Sequence, residues 1–319
     1  MTATLVLLDH DRGQLSETAL QAVAFARSLG QGVAAVLIGG AAEPIGSTLG
    51  PFGIERLHLI EHEYLSDFAP EAWGDVLAQL VVVSGAKTVV TTGTDRGNEV
   101  LAHLGAILDQ PMVANALTAE TSEPAQPWRL TRIRWGGSLF EHVELDAPFH
   151  LITVAPHAWE PPAPSADSTV EIEHFEPTLD DTATRTQVVD RVTLNAGITL
   201  ATAPVVVGGG RGVGSAEGFG PLEELATMLG GVVGCSRVVT NNGWRPHTDQ
   251  VGQTGTRIAP DLYIACGVSG AIQHWVGAMA SKKILAINTD PEANMMSKAD
   301  YAVVGDLHEV VPALIEALR

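Results

Sequence analysis

Five short apolar runs lie near the end of the chain: Ala203–Val207, Val232–Arg237, Leu262–Cys266, Ile284–Asn288 and Tyr301–Val304. Each stops at a glycine or polar turn. Runs this short and this continuous read as strands buried on both faces of a parallel sheet. Helical patterns fall between or after them, at Gly220–Leu229, Ala271–Ala278 and Leu307–Leu318. Strands alternating with helices build βαβ units. The C-terminal part is therefore predicted to be a doubly wound α/β domain, in which ligands sit beyond the carboxyl ends of the strands. Polar residues occupy those ends. Arg211 lies in GGGRG after the first run, and Ser236 and Arg237 after the second. Ser269 follows the third, Asn288 and Asp290 the fourth, and Asp306 the fifth. Five strand ends on one side converge on one crevice.

The stretch Asp249 to His274 is the most telling part of that crevice. Gly267 and Gly270 flank Ser269 between a strand and a helix. Such a turn offers free backbone N–H groups and the positive end of a helix dipole, a ready site for a phosphate. Gln273 and His274 add hydrogen-bonding groups in the first helical turn. Each feature has an ordinary structural reading. GGGRG is a common turn and lacks both G-x-G-x-x-G and G-K-[ST]. His274 alone reads as a buried histidine, Arg237 as a surface arginine, and Asp306 as the N-cap of the last helix. Taken together they point to a nucleotide-type ligand.

The first half alternates in the same way. Strands are expected at Thr4–Leu8, Val33–Ile38, Leu57–Ile60 and Thr88–Thr92, and helices at Glu17–Leu29, Pro70–Val83 and Asn98–Leu108. RLTRIRW, SLFEHVEL and FHLITVA, between Leu130 and Val154, follow one another too closely for crossover helices, which predicts an antiparallel addition to a mostly parallel sheet. His157 to Ser168 is rich in proline and reads as a connector. An acidic tract without strong apolar runs follows, Glu171 to Asp190. Two domains are expected, 1–192 with a linker at 156–192, and 193–319.

Charge separates the two. Residues 1–192 hold 10 basic against 26 acidic residues, a net of −16, and residues 193–319 hold 8 against 11, a net of −3. So acidic a chain argues against nucleic-acid binding, and the less charged C-terminal half is the better host for an anionic cofactor. Cys235 and Cys266 are the only cysteines, and they support neither a disulfide framework nor a zinc site. MTATLVLLDHD lacks the basic segment of a signal peptide, and no apolar run reaches the ~18–20 residues of a membrane span. A soluble cytoplasmic protein without membrane insertion is expected.

Residues 204–319 closely resemble the FAD-binding domain of the electron transfer flavoprotein alpha subunit. The matching segments are GGGRG (208–212), GCSR (234–237), QVGQTG (250–255) and APDLYIACGVSGAIQH (259–274), with AINTDPEA (286–293), ADYAVVGDL (299–307) and the VVPALIEAL tail. Residues 1–155 resemble the amino-terminal domain of that subunit more loosely, through VLLDHD, TGTDRGNEVLAHLGA and RIRWGG. The resemblance implies FAD, a beta-subunit partner contacted by the N-terminal domain, electrons accepted from flavin dehydrogenases, and a membrane quinone reductase as acceptor. By position it implies Arg211 on the pyrophosphate or adenosine side and Ser236 and Arg237 beside the isoalloxazine ring. Gln253 and Thr254 would sit by the flavin, Thr254 near N5, with Val251 and Gly252 in the same loop. Ser269, Gly270, Ala271, Ile272 and Gln273 would hold the diphosphate, with His274 by the C2 carbonyl. Asn288, Asp306 and Leu307 would close over the adenosine. Where family members often carry basic residues, this chain has Thr256, Thr289 and Val213-Gly214, which lowers positive charge at the cofactor rim. Two other classes share such a domain: an NAD-dependent enzyme, such as a deacylase or transhydrogenase component, and a non-redox adenine-nucleotide module.

Overall fold

A computed structural model describes residues 3–16, 18–39, 42–46, 48–121, 127–137, 139–165, 169–189 and 198–319. The chain forms two compact units, Met1–Trp135 with Leu139–Val192, and Gly136–Ser138 with Thr193–Arg319. The expected domain junction at 192/193, Glu17 at the start of the first predicted helix, and 166–168 of the predicted connector lie outside the described residues.

The first unit is built on one nine-stranded sheet. Its strands are β1 (Thr4–Leu7), β2 (Val33–Ile38), β3 (Arg56–Ile60), β4 (Thr88–Thr92), β5 (Met112–Glu120), β6 (Trp128–Arg134), β7 (Leu139–Leu145), β8 (His150–Val154) and β9 (Glu171–Phe175). They lie in the order β9-β3-β2-β1-β4-β8-β5-β6-β7. β1, β2 and β4 are buried along their whole length, as strands covered on both faces must be. Helix α1 (Ala19–Ser28) packs through Ala22, Phe25 and Ala26 on one face of the sheet. Helices α2 (Pro70–Ser84) and α3 (Asp95–Leu108) bury Trp73, Leu77, Leu101 and Leu104 on the other. The Thr94 hydroxyl starts α3 by accepting from Gly97 N at 3.0 Å and satisfies one of the free N–H groups of the first turn.

Three readings of this unit change. Only β6 and β7 extend the sheet in antiparallel fashion; FHLITVA becomes β8, a parallel strand inserted between β4 and β5. Succession in sequence predicted adjacency, but the buried pattern of His150–Val154 demands a central place. β5 is a further strand, with mixed exposure and a left-handed residue, Asn115 at φ 58, that breaks its alternation. Within the acidic tract, Glu171–Phe175 joins the sheet edge as β9, parallel to β3. Two of its five residues are glutamates, and Arg56 pairs with Glu171 at 3.5 Å and Glu173 at 3.0 Å. Edge strands manage their free side with such charges, which hides them from a search for apolar runs.

The second unit holds five parallel strands: β10 (Val205–Gly209), β11 (Val232–Cys235), β12 (Leu262–Cys266), β13 (Ile284–Asn288) and β14 (Tyr301–Val304). Their order is β11-β10-β12-β13-β14, all parallel. Helices α4 (Gly220–Met228) and α8 (Leu307–Leu318) bury Leu222, Leu225, Val311 and Ile315 on one face. The opposite face is covered by α6 (Ile272–Ala278) and α7 (Asn294–Lys298) through Ala278, Met295 and Met296. A doubly wound domain results, as the alternation predicts. The run read as Val232–Arg237 ends at Cys235, and Arg237 instead opens α5 (Arg237–Asn241).

Candidate functional site

The chain enters the second sheet at β10, turns outward to β11, then returns to the other side of β10 as β12. Helix connections on opposite sides of a strand leave a crevice beyond its carboxyl end. Here the crevice is walled by two glycine turns. Gly210 N donates to Cys266 O at 2.8 Å and Gly212 N to Gly267 O at 3.2 Å. The backbones approach so closely that a Cβ on Gly210 would stand 2.2 Å from Gly267 O. Gly267 and Gly270 have φ 63 and 76, in the region glycine enters without steric cost. A Cβ on Gly270 would lie 2.3 Å from Met295 N, so the turn carrying Ser269 is seated on the start of α7.

The resulting cleft has a volume of about 270 Å³ and is lined by Arg211, Gly212, Ser236, Gly267, Ser269 and Asn288, with Val238, Asp290 and Ala293. Four of the expected contacts, Arg211, Ser236, Ser269 and Asn288, thus meet around one space. Asn288 is braced there, donating to Val268 O at 3.1 Å and accepting from Asp290 N at 3.1 Å. Arg211 and Arg237 are exposed, and neither forms an ion pair among the described residues. Elsewhere in the unit Arg245, Lys283 and Arg319 are each tied to carboxylates.

A second group gathers on the loop 250–256 and α6. Gln253 N donates to Gln273 O at 2.7 Å, and a Cβ on Gly277 would stand 2.3 Å from Gly252 N. Val251 N donates to Cys235 O at 2.9 Å, which ties the loop to the end of β11. Gln250, almost fully buried, accepts from Thr240 Oγ1 at 2.8 Å and donates to Thr254 Oγ1 at 3.0 Å. The Thr254 hydroxyl is thereby oriented with its own proton left to donate. Ala271, Ile272 and Gln273 are exposed at the start of α6, and no side chain caps that terminus. His274 is buried. Its Nε2 lies 2.7 Å from the Tyr263 hydroxyl. Burial pushes its pKa down to about 4, with the Val251 backbone opposing the shift more weakly.

Asp306 and Leu307 belong neither to the cleft lining nor to the group on the loop 250–256 and α6. Asp306 is the N-cap of α8 and accepts from His308 N at 2.9 Å. Leu307 is core, packed behind the crevice so that a Cβ on Gly267 would meet its Cδ2 at 2.8 Å. Gln250, Val238 and Ala293 line or brace the site without having been singled out. Gln250 alone left a trace in the sequence, a polar residue heading an otherwise small-residue loop.

One test of ligand fit is independent of shape. Buried polar atoms almost always find partners. In the second unit, among the described residues, two buried side-chain atoms do not: Ser236 Oγ and His274 Nδ1. Both belong to the expected cofactor contacts. Cys235 and Cys266, by contrast, are buried on the strands flanking β10, with both thiols pushed up by burial to about 12. That chemistry suits neither a thiolate nucleophile nor a metal ligand.

A five-stranded parallel sheet with glycine turns at its carboxyl end, and with arginines and buried polar atoms there that lack partners among the described residues, defines an α/β nucleotide-binding domain. Comparison with known proteins narrows the class. Residues 199–279 match the electron transfer flavoprotein FAD-binding domain, and residues 4–180 the electron transfer flavoprotein domain. Three similar proteins carry the name electron transfer flavoprotein subunit alpha. The Bacillus subtilis protein is 35% identical over 99% of this chain and 97% of its own length. That of Mycobacterium tuberculosis (strain CDC 1551) is 35% identical over 100% and 99%. The Caenorhabditis elegans protein, described as probable and mitochondrial, is 33% identical over 100% and 94%. The chain belongs to the electron transfer flavoprotein alpha-subunit family, and its cofactor is FAD. No helix among the described residues is long and apolar enough to cross a membrane.

Proposed function

We propose that the chain, joined to a beta subunit through residues 1–192, carries electrons from flavin dehydrogenases, such as acyl-CoA dehydrogenases, to a membrane quinone reductase. When bound, FAD supplies the redox chemistry; the chain binds it, orients it and sets the field around it. Arg211 and the 269–273 segment serve the diphosphate, through a guanidinium and backbone N–H groups. Asn288 holds the adenosine end, while Asp306 and Leu307 shape that end from behind Gly267. Ser236, Arg237, Gln253, Thr254 and His274 face the ring, with Val251 and Gly252 setting the loop against α6.

The observation that carries this reading is the pair of orphaned atoms, Ser236 Oγ and His274 Nδ1. A buried polar group without a partner costs about 1–3 kcal/mol. Ser236 lines the cleft and His274 lies in the first turn of α6, so a ligand that reached from the cleft to the 250–256 loop would recover that cost at both. Co-expression with the beta subunit tests the reading through the visible spectrum. A yellow complex with flavin bands is expected. A colourless, folded complex that ignores added FAD would overturn it.

A further inference from the structure

The fold treats the two ring nitrogens of His274 differently. Nε2 lies 2.7 Å from the Tyr263 hydroxyl, whereas Nδ1 is buried and makes no full hydrogen bond among the described residues, with only the weaker influence of the Val251 backbone on the ring. Tyr263 stands on β12 and is fully buried. Its phenol fills the space that Gly208 leaves on β10, where a Cβ would stand 2.3 Å from the hydroxyl oxygen. Burial also raises the Tyr263 pKa far above its ordinary value, so the phenol keeps its proton.

That proton decides which nitrogen of His274 carries the other one. Were Nε2–H to donate to the phenol oxygen, the Tyr263 O–H would need a second acceptor, and His274 is its sole hydrogen-bond partner among the described residues. A buried hydroxyl left without an acceptor is disfavoured. With the phenol donating to Nε2, the phenol proton and Nε2 are both satisfied and the neutral imidazole is protonated at Nδ1. The unpartnered atom is then an N–H donor rather than a lone pair. Because burial keeps this imidazole neutral to about pH 4, it offers the cofactor a dipole, and the tautomer sets the sign of that dipole.

We propose that Tyr263 is a positioning residue for the redox site: its hydroxyl donates to Nε2 of His274 and locks the imidazole as the Nδ1–H tautomer, aimed at a carbonyl or developing negative charge on the flavin. The proposal rests on the reading of His274 as a flavin contact. It gives a role to a tyrosine that packing alone would let phenylalanine fill.

The test uses the full chain with its beta subunit, labelled with ¹⁵N-histidine and examined with and without FAD, together with potentiometric titration. The wild-type His274 spectrum should show Nδ1 protonated even without cofactor; an Nε2-protonated ring would overturn the proposal, whether or not any variant folds. Tyr263→Phe should retain FAD, lose the fixed tautomer and lower the flavin midpoint potential. An unchanged tautomer and midpoint in that variant would also overturn it. His274→Ala separates the two layers. A lowered midpoint there, with Tyr263→Phe unchanged, removes the tyrosine's role alone. No change in His274→Ala removes the flavin contact on which the proposal rests.

Discussion

The two large sheets of this chain each have a switch point among their parallel strands, and they treat it in opposite ways. In the first unit the reversal falls between β1 and β4, and the unit's own side chains fill it. Thr94 Oγ1 donates to the Asp9 carboxylate at 3.4 Å, and Arg96 pairs with the same carboxylate at 3.5 Å. The Arg96 guanidinium also lies 4.4 Å from the Phe68 ring centre, beside a cleft of only about 20 Å³ that it helps to line. In the second unit the reversal between β10 and β12 is lined by glycine backbone and by Arg211, which has no ion pair among the described residues, and the cleft holds about 270 Å³. Topology creates a crevice in both. Side chains decide whether it is filled from within or left for a ligand.

The comparison breaks first at the glycine wall. Gly210→Val would drive a side chain into Gly267 O, Gly267 C and Val268 Cα, all within 2.7 Å of the new Cβ. Those are backbone atoms and cannot step aside as a side-chain end could. The expected cost is on the order of 4 kcal/mol or more, together with loss of FAD. Hydrogen exchange should rise through residues 204–319 while the sheet core of the first unit keeps its protection. A variant that still holds FAD with wild-type exchange would show that the close approach of the two turns is not needed.

The next effect belongs to the filled crevice. Burial raises the Asp9 pKa above the usual carboxylate range, and Arg96, the Thr94 hydroxyl and His10 pull it back only in part. Arg96→Ala removes the largest of those counterweights and the packing on Phe68. Its cost should fall between the ~1 kcal/mol of an exposed ion pair and the ~3–5 of a fully buried one, about 2 kcal/mol at neutral pH. The sign of the pH dependence follows from the shift. A carboxyl whose folded pKa is raised is destabilising when ionised, so the stability it gives at low pH is lost as pH rises through that pKa. Without Arg96 the pKa rises further. The penalty should therefore be full at neutral pH and shrink as acidification protonates Asp9. Denaturant melts of the variant and the wild type across that range measure it, and a pH-independent difference would mean that packing on Phe68 is the whole effect. FAD binding should be unchanged.

The contrast also explains what could be read before any coordinates. Buried parallel strands announce themselves as unbroken apolar runs, so Val33–Ile38, Thr88–Thr92, Leu262–Cys266 and Ile284–Asn288 emerge with their limits intact. Edge strands with few apolar residues do not, which is why Glu171–Phe175 reads as an acidic tract. Strand order is not written in local pattern at all. The parallel insertion of His150–Val154 depends on contacts with β4 and β5, far away in sequence. At the site, glycine turns and polar strand ends are legible because their positions follow from topology. Partnership is not: nothing in the string QVGQTG says that Gln250 orients Thr254, and nothing around His274 says that its Nε2 meets the Tyr263 hydroxyl.

The smallest expected effect is the most direct probe of the open crevice. Arg237 begins α5 between Ser236 and Val238, both of which line the cleft, and it has no carboxylate partner among the described residues. A unit charge ~4 Å from another contributes about 1 kcal/mol in water and ~4 kcal/mol at an effective dielectric of ~20. An exposed guanidinium lies toward the weaker limit. Reduced flavin gathers negative charge and oxidised flavin does not, so the arginine favours the reduced form and raises the potential. Arg237→Ala should therefore retain FAD while the midpoint falls by tens of millivolts, on the order of 1 kcal/mol for one electron. Added salt should narrow the gap between variant and wild type, because an exposed charge is screened over roughly 10 Å at 0.1 M. A midpoint that does not move would place Arg237 away from the ring. A gap that salt leaves untouched would mean that the guanidinium is buried once the cofactor is bound.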